Sequence, residues 1–455
     1  MKILFYSLNP SFFDEETFHF TWFPRAENQW KDVLQKNPNV SVCVVTQKPG
    51  MFLTDSNQKS SSLFEDRLKY IFLQNDELNY VASIIQGENP DVVVASSFWV
   101  TPFDWTSVQD SLLGELLQKK GLNVIFHPSE SSALCFDKNS TRLFLQNNSF
   151  NFPVGYEVQH ELFWSERGKS EVKTNVYKEY ILSKIQKLKY PVVIKDCYGL
   201  SSYGMEVCKT FNQAKAFLLS KKNNGNKIVE EYIDGLQFGV EVWGSSGKYE
   251  VSPSFLFSVN QYGITSPKQS IKVGPVKNDE LQNEVLRICE LLKFSGVAQF
   301  DVVFDGKNWF ILDINPRLSG MSSCVACCQN TTVVQKLINL ACQNQTLQES
   351  DLLKTELFKT DLLKTDLFKT LDIKIKNQEQ KILDELIKLP FVKCVNQTVN
   401  DLAKQHRESG FCELILCDDS FDLLLQDLDF LREKFPNIIE EQFYQTAKKM
   451  IFSIA

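Results

Sequence analysis

Polar side chains alternate with apolar ones over two short segments that a turn at 305–306 joins. Gln299 and Asp301 stand two positions apart in the first segment, and Asp313 and Asn315 do so in the second. Residues two apart on a strand share a face, and an antiparallel hairpin can bring both pairs onto one surface. Mg²⁺ is commonly held by one or two carboxylates, with phosphate oxygens and water in its remaining places. The pattern therefore favours a magnesium site; the alternative is a set of strand-edge side chains that face solvent.

Arg317 follows this hairpin directly, in the run Asn315-Pro316-Arg317. A guanidinium at the end of an apolar strand is well suited to hold an oxyanion. We therefore interpret Arg317 as a group that stabilises charge on a reacting molecule.

A second constellation surrounds Lys195, which ends a predicted buried strand over 190–195. The loop that follows contains Ser201, Ser202 and Gly204. Glycines let backbone N–H groups close over an anion, and a lysine at the strand end adds positive charge. This pattern indicates a cover over phosphates, although a strand ending in a surface turn would use the same residue types. The G-x-x-x-x-G-K-[ST] pattern of a P-loop is absent.

A third segment places Glu230 and Glu231 beside Tyr232 and Ile233, before a turn at Gly235. Adenine needs apolar contacts on its faces and an acceptor for its amine, and this mixture supplies both. By itself the motif has low specificity.

The elements around these residues follow two patterns. Short apolar segments separated by helical stretches predict a parallel α/β sheet in the first 130 residues. The strands predicted there are 2–7, 40–46, 91–96 and 123–127. The middle of the chain predicts an α+β block. Its predicted helices are 134–146, 212–221 and 279–292, and its predicted strands are 190–195, 227–232, 238–243, 298–304 and 309–315.

The last third of the chain contains a repeat, DLLKT-ELFKT-DLLKT-DLFKT, over 351–370. Apolar pairs at a period of five drift around a helix, so the segment cannot present one narrow stripe. We interpret it as a linker or surface helix, with a partner-binding segment as the alternative. Beyond it, helices over 399–408 and 421–434 with a strand over 411–417 predict a small α/β domain.

Composition limits the classes of function. The chain has 455 residues, 43% of them hydrophobic, and a net charge of −7. It is long enough for several globular domains and has no overall attraction for nucleic acid or anionic lipid. No apolar run is long enough to span a bilayer, and the twelve cysteines lack paired short spacings apart from Cys324, Cys327 and Cys328. We therefore expect a cytoplasmic protein with reduced thiols.

In this order, from about residue 129 to 340, the segments resemble the ATP-grasp superfamily, which includes amino-acid ligases, carbamoyl-phosphate synthase and biotin carboxylase. The resemblance implies a parallel-sheet pre-ATP-grasp domain (1–128), an ATP-grasp domain (129–345) with a lid (about 190–235), a linker (346–372) and an α/β domain (373–455). It implies ATP with Mg²⁺ or Mn²⁺ as cofactors. Implied nucleotide contacts are Lys138, Lys195, Ser201, Ser202, Gly204, Glu230, Glu231, Tyr232, Ile233 and Gln237.

The same resemblance implies that Asp301, Asp313 and Asn315 are the metal ligands and that Arg317 and Lys195 act in catalysis. Two positions depart from the family's pattern. Gln237 stands where a ribose-binding glutamate is usual, and Asp313 stands where glutamate is more common. An amide can still bond a hydroxyl, and aspartate can still ligate Mg²⁺.

The implied reaction is ADP-forming amide synthesis, in which a carboxylate is activated as an acyl phosphate and displaced by an amine. We expect small-molecule substrates, no nucleic acid or membrane partner, and a chain compatible with a homodimer. Two alternatives stay open: a silent ATP-binding interaction module, and a bicarbonate-using carboxylase subunit. Cys324, Cys327 and Cys328 are interpreted as free thiols, since no histidine lies near them in the sequence.

Overall fold

The structure is a computed structural model. It describes residues 1–8, 18–47, 52–55, 61–98, 105–199, 204–260, 263, 265, 270–343, 367–400 and 411–454. Ser201, Ser202 and most of the pentapeptide repeat lie outside the described residues. Among the residues that are described, no helix has both the length and the apolar character needed to cross a bilayer.

The described residues up to position 125 form a mostly parallel sheet, as predicted for the start of the chain. Its strands, together with one that leaves it, are β1 (Lys2–Ser7), β2 (Phe18–Phe23), β3 (Ser41–Thr46), β4 (Ser61–Leu63), β5 (Leu68–Phe72), β6 (Val92–Ala95) and β7 (Val124–Ile125). The order is β4-β5-β3-β1-β6-β7, and only β4 runs antiparallel to its neighbour. The accompanying helices are α1 (Ala26–Lys36), α2 (Leu78–Gly87) and α3 (Thr106–Lys119). Both faces are covered: Ile3 and Phe5 pack with one cluster and Leu4 with another, which explains the continuous apolar runs.

The helix predicted over 134–146 is two helices, α4 (Ser129–Phe136) and α5 (Lys138–Asn147). Asp137 separates them because its backbone is extended, with φ −93 and ψ 109. Its side chain accepts hydrogen bonds from the Asn139 N–H at 3.0 Å and the Ser140 hydroxyl at 2.7 Å. An aspartate in this role satisfies the open N–H groups of a helix start. The single-helix prediction was wrong because it read Asp137 as an interior residue rather than a cap.

A small antiparallel sheet follows, which contains most of the segment predicted as the lid (about 190–235), and we call it the lid sheet. Its elements are β8 (Gly155–Val158), α6 (His160–Phe163), α7 (Ser165–Gly168), α8 (Val176–Ile185), β9 (Val192–Asp196), β10 (Glu206–Cys208), α9 (Phe211–Leu218) and β11 (Lys227–Glu231). The strand order is β10-β9-β11-β8. Because β8 pairs with β11, the lid sheet includes residues well before the predicted start at 190. Ile194 and Val229 pack its inner face against α8 and α9.

The remaining elements form one large sheet. They are β12 (Leu236–Ser245), β13 (Lys248–Val251), β14 (Ser254–Phe257), β15 (Lys272–Val276), α10 (Asp279–Leu291), β16 (Gly296–Phe304), β17 (Trp309–Asn315), α11 (Ser322–Cys328), α12 (Val333–Gln343), β18 (Lys369–Ile375), α13 (Gln380–Leu386), β19 (Val392–Asn400), β20 (Phe411–Asp418), α14 (Phe421–Lys434) and α15 (Glu441–Ile454). The order is β17-β16-β12-β14-β15-β18-β20-β19-β2, with β13 paired to β12.

The C-terminal strands thus continue the sheet of the middle block through the β15–β18 pair. The first strand of this part begins at Lys369, inside the range predicted as linker. The helix predicted over 399–408 is a strand where it is described, since β19 runs to Asn400; residues 401–410 lie outside the description. The predicted helix over 421–434 is confirmed as α14. The strand β2 from the N-terminal segment completes the far edge.

Candidate active site

The hairpin of β16 and β17 has the register that the alternation predicts. Gln299 pairs with Asn315, and Asp301 pairs with Asp313. The turn is stabilised by Asp305, whose carboxylate accepts from the N–H groups at positions 307 and 308 at 2.8 and 2.7 Å. The apolar residues between the polar ones, such as Phe300, pack in the core on the opposite face. The four polar side chains therefore share one surface, since the strand period is two.

A chain of hydrogen bonds connects these side chains to the arginine beyond them. The Arg317 guanidinium donates to Asn315 Oδ1 at 3.2 Å. The Asn315 amide donates to Gln299 Oε1 at 3.0 Å, and the Gln299 amide donates to Asp301 Oδ1 at 2.7 Å. Each donor in this chain faces an acceptor, so the network fixes the orientation of both amides.

Asp301 is the most electrostatically perturbed of these groups. Burial and the neighbouring Asp313 carboxylate raise the pKa of Asp301 to about 6. Two carboxylates brought together in a partly buried position disfavour the charged form, and a bound cation would reverse that effect. Among the described residues no group of three or more His, Cys, Asp or Glu side chains could hold a metal. Two carboxylates with an adjacent amide nevertheless fit Mg²⁺, whose other ligands are commonly phosphate oxygens and water.

Lys138 contacts this surface from the start of α5. Its ammonium lies 2.6 Å from Asp313 Oδ2, and both side chains are largely buried. The Lys138 backbone N–H donates to the carbonyl of Cys197, just after β9, at 3.0 Å. The break between α4 and α5 at Asp137 therefore places Lys138 between the lid sheet and the hairpin.

Lys195 lies on β9 of the lid and forms an ion pair with Glu230 on the adjacent β11. Lys195 Nζ is 2.5 Å from Glu230 Oε1, and the two side chains are 9% and 8% exposed. The strands pair antiparallel, with Glu230 two positions beyond the direct cross-strand partner of Lys195. A predicted phosphate contact and a predicted adenine contact are thus joined within one lid sheet.

Residues 231–233, which end β11 and follow it, are called the hinge here, and they are hydrogen-bonded to the residues just before β9. Glu231 Oε1 accepts from the Lys189 N–H at 2.8 Å, and the Tyr232 N–H donates to the Pro191 carbonyl at 3.0 Å. Ile233 is half-buried. Gln237, at the start of β12, donates from Nε2 to the Gly263 carbonyl at 2.6 Å, so its amide is used as a donor.

The loop after Lys195 is described in part. Gly204 has φ +71, a conformation that favours glycine, and an added Cβ would lie 3.1 Å from Asp196 Oδ2. Ser201 and Ser202 lie outside the described residues, so their predicted contact with phosphate stays a prediction.

Sequence reasoning missed Glu241, a fully buried carboxylate on β12 that lies next to Gln299 in the sheet register. The signal was present: an acid interrupts the apolar run Phe238-Gly-Val-Glu-Val. Buried acids are rare without a partner, which makes such an interruption informative.

The cysteines after the hairpin have the state that was predicted for them. Cys324 and Cys328 are buried and Cys327 is partly buried, and all three are free thiols. Burial raises the pKa of Cys328 to about 12. Protonated, buried thiols are poor nucleophiles, so no covalent role follows from them.

Comparison with protein families matches residues 135–321 to an ATP-grasp domain. Among curated proteins, the chain is 26% identical over 213 residues to D-alanine–D-alanine ligase B of Clostridium tetani, covering 43% of this chain and 55% of that protein. It is 20% identical over 276 residues to the carbamoyl phosphate synthase large chain of Clostridium acetobutylicum, covering 59% of this chain and 23% of that protein. The match thus spans about half or less of these relatives.

Solved structures resemble the chain over nearly its whole length. The L-amino acid ligase of Bacillus licheniformis has a TM-score of 0.61 and 15% identity, with 97% of this chain and 99% of that one covered. The N5-carboxyaminoimidazole ribonucleotide synthetase of Thermus thermophilus has a TM-score of 0.58 and 13% identity, with the same coverage. At these identities the likeness concerns the fold. It confirms the predicted α/β and α+β multidomain architecture.

The predicted cofactors, ATP and Mg²⁺, are those of the matched family. The match covers Lys138, the lid, the hinge and the hairpin in the predicted order. Residues 135–321 thus match an ATP-grasp domain, in agreement with the resemblance predicted from the sequence.

Proposed function

We propose that this protein is an ATP- and Mg²⁺-dependent ligase that joins a carboxylate to an amine through an acyl phosphate. The observation that carries the proposal is the connected surface of Asp301, Asp313, Asn315 and Arg317, with Lys138 in contact with it. This surface combines acids suited to a metal with cations suited to phosphate and carboxylate. A protein that only bound nucleotide would have no need of an arginine tied to the metal ligands.

The proposed metal ligands are Asp301, Asp313 and Asn315. When bound, Mg²⁺ would supply positive charge beside the phosphate oxygens of ATP. Asn315 Oδ1 accepts a bond from Arg317 in the structure, and Asp313 is paired with Lys138. Both bonds would have to lengthen or be shared when the ligands are engaged.

The cations have separate proposed roles. Lys195 is proposed to contact the phosphates of ATP from the lid side; in the structure it forms an ion pair with Glu230. Lys138 reaches them from the hairpin side. Both neutralise the negative charge that builds up on the transferring phosphoryl group, the main requirement of this chemistry. The hinge residues Glu231, Tyr232 and Ile233, with Gln237, are proposed to hold the nucleoside.

Arg317 is proposed to hold the reacting carboxyl group and then the tetrahedral intermediate. Together with Pro316 and Leu318 it lines a cavity whose other wall is the carboxyl end of β6 and the start of α3, including Ser97 and Asp110. A substrate bound beside this wall would present its carboxylate to the guanidinium. A bidentate bond from arginine fixes both orientation and charge.

In the proposed reaction, a carboxylate oxygen attacks the γ-phosphorus of ATP and ADP leaves. The amine then attacks the acyl carbon, phosphate departs with the carboxylate oxygen, and the amine loses a proton. The products are an amide, ADP and phosphate. No covalent bond to the enzyme is required.

A product screen tests the proposal. The purified protein is incubated with ATP, Mg²⁺ and pooled amino acids and small carboxylates, and the mixture is analysed for ADP and for new masses by mass spectrometry. The expected product has the summed mass of two components less one water. A matched Asp301→Asn reaction controls for contaminating ATPases. ATP binding without ADP or product in any pool would contradict the proposal and favour a silent binding module.

The same screen distinguishes the carboxylase alternative from the proposed amide ligase. A pool that contains bicarbonate as the only carboxylate, with and without added free biotin, would release ADP if the protein used bicarbonate. Release in that pool alone, with none from the organic carboxylates, would replace the amide ligase with a carboxylase.

A further inference from the structure

Glu241 is a carboxylate enclosed in the middle of the large sheet, with no exposed surface. Its Oε1 accepts from the hydroxyls of Ser319 at 2.8 Å and Ser322 at 2.6 Å. Its Oε2 accepts from the Trp243 indole N–H at 3.0 Å. A buried carboxylate is costly unless several donors satisfy it, and here three donors do so.

The two serines belong to the segment that carries Arg317. The Ser319 N–H donates to the Ser322 hydroxyl at 3.1 Å, and the Met321 N–H donates to the Ser319 hydroxyl at 3.0 Å. The Arg317 guanidinium donates to the Leu318 carbonyl at 3.0 Å. The peptide group between Leu318 and Ser319 joins the two ends of this arrangement: its carbonyl accepts from Arg317, and its N–H donates to Ser322, whose hydroxyl contacts Glu241.

The segment also lies directly on β12. An added Cβ at Gly239, two positions before Glu241 on the same face, would lie 2.3 Å from Met321 Sδ. A side chain larger than hydrogen at this position would have to move the side chains of Met321 and Phe257. Gly239 and Glu241 pair with Asp301 and Gln299 respectively, so the contact is beside the hairpin acids.

We propose that Glu241 is a positioning residue that holds the 317–322 segment on the sheet and so aims Arg317 at the reacting carboxyl group. This inference rests on the ligase function proposed above. Glu241 touches neither nucleotide nor substrate in this arrangement; it acts through Ser319, Ser322 and Leu318. Supports of this kind decide whether a charged group is held within the narrow tolerance that catalysis needs.

Glu250 offers a matched control. It lies on the neighbouring strand β13, and its carboxylate accepts from the Lys336 ammonium at 2.8 Å and the Gln329 amide at 2.7 Å. Removing it also breaks bonds to a buried group, since the Lys336 side chain is 4% exposed, although Glu250 itself is 35% exposed. Those bonds lead to the C-terminal end of α11 and to α12 rather than to Arg317, so a loss of stability without loss of positioning is expected.

The test compares Glu241→Gln, Glu241→Met and Glu250→Met in the full chain. Glutamine keeps an acceptor for the two serines, whereas methionine keeps none. The expected kcat falls about 10- to 100-fold in Glu241→Met and by less in Glu241→Gln, with the KM for ATP unchanged. Glu250→Met should keep the kcat of the unaltered protein. Equal losses of kcat in the two methionine variants would overturn the proposal.

Hydrogen exchange supplies a readout that needs no turnover. The amides of Ser319 and Met321 should exchange faster in Glu241→Met than in Glu250→Met, at matched overall stability. Unchanged exchange at these amides would overturn the positioning role even if catalysis were lost. If the unaltered protein shows no turnover, the ligase proposal fails, and exchange alone decides whether Glu241 holds the segment.

Should Glu241→Met fail to fold, the triple variant Glu241→Met, Ser319→Ala, Ser322→Ala replaces both sides of the contact. The variant removes the carboxylate together with the two hydroxyls that donate to it, so neither hydroxyl is left without its acceptor. This variant should fold, bind ATP as the unaltered protein does, and show the low kcat. A folded triple variant with the original kcat would contradict the proposal.

Discussion

The Lys138 ammonium lies 2.6 Å from Asp313 Oδ2, so a predicted nucleotide contact neutralises a predicted metal ligand. Asp313 stands beside Asp301, and their mutual repulsion contributes to the raised pKa of Asp301. A cation beside the two carboxylates would reduce this repulsion whether or not nucleotide is bound. We infer that Lys138 supplies part of that charge and that a bound metal would compete with it.

Replacing Lys138 by methionine should thus change the affinities for Mg²⁺ and for ATP in opposite directions. Mg²⁺ in the absence of nucleotide should bind more tightly, by about 10-fold, because two nearby carboxylates lose their competing cation. ATP should bind more weakly, because a phosphate contact is removed. Titration calorimetry measures both. Lys178→Met, which removes a lid lysine paired with Glu166, is the control; weaker Mg²⁺ binding in Lys138→Met would contradict this interpretation.

Removing the charge of Asp313 should strongly reduce turnover. We expect Asp313→Asn to lower ATP consumption by about 100-fold or more and to raise the Mg²⁺ concentration needed for half-maximal rate. Asp305→Asn makes the same chemical change in the same hairpin, at an exposed turn position. It should leave the rate unchanged. Similar rates for the two variants would mean that Asp313 is not a metal ligand.

The pair of Lys195 and Glu230 should behave as a buried ion pair. Removal of one partner leaves an uncompensated charge, so Lys195→Met should destabilise the lid by about 3–5 kcal/mol. The double variant Lys195→Met, Glu230→Gln should recover much of that loss but not ATP binding. Thermal unfolding with and without MgATP measures both effects. The exposed pair of Lys222 and Glu206 is the control, with an expected change of about 0–1 kcal/mol.

If the double variant is less stable than Lys195→Met, the unpaired charge of Glu230 in Lys195→Met does not destabilise the lid sheet. Recovery of ATP affinity in the double variant would remove both residues from the proposed nucleotide site.

His127 predicts a pH dependence of stability. Burial lowers the pKa of His127 to about 4, and its ring bridges the Ser295 N–H, at 3.2 Å, and the Val297 carbonyl, at 2.9 Å. In the unfolded chain the pKa of histidine is about 6.5. Between pH 6.5 and pH 4, His127 is therefore mostly protonated in the unfolded chain and mostly neutral in the folded chain. The stabilisation is complete above pH 6.5 and is lost as the pH falls from about 6.5 to 4, by about 3 kcal/mol in total.

The measurement is the melting temperature of the unaltered protein and of His127→Gln between pH 8 and pH 4. Glutamine can still donate to the Val297 carbonyl but does not titrate. The melting temperature should therefore fall less steeply on acidification in His127→Gln. Parallel curves would show that His127 is not the responsible group.

The hairpin register could be predicted from the sequence because it depends on local rules. Alternation of Gln299 and Asp301 with apolar residues, and a turn at 305–306, determine which side chains share a face. The same holds for α10, whose start at Asp279 follows the cap Asn278. Local patterns of this kind predicted both the acids of the site and their common surface.

The ion pairs could not be predicted in this way. Lys138 and Asp313 are separated by 175 positions, and their contact depends on the break at Asp137 and on the packing of the lid. Glu241 was missed for a related reason: its partners, Ser319 and Ser322, read as ordinary loop residues until the sheet places them over β12. The continuation of the large sheet into the C-terminal strands likewise depends on long-range pairing.

Formation of an acyl phosphate transfers a carboxylate oxygen to the released phosphate, and this transfer can be measured without knowing the substrate in advance. A pool of amino acids labelled with ¹⁸O in their carboxyl groups is incubated with the protein, ATP and Mg²⁺, and the released phosphate is analysed by mass spectrometry. If a carboxylate oxygen attacks ATP, phosphate should carry one ¹⁸O for each ADP formed, and Asp301→Asn should release neither. ADP release with unlabelled phosphate would show that water or bicarbonate, rather than an amino-acid carboxylate, is the acceptor and would contradict the ligase mechanism.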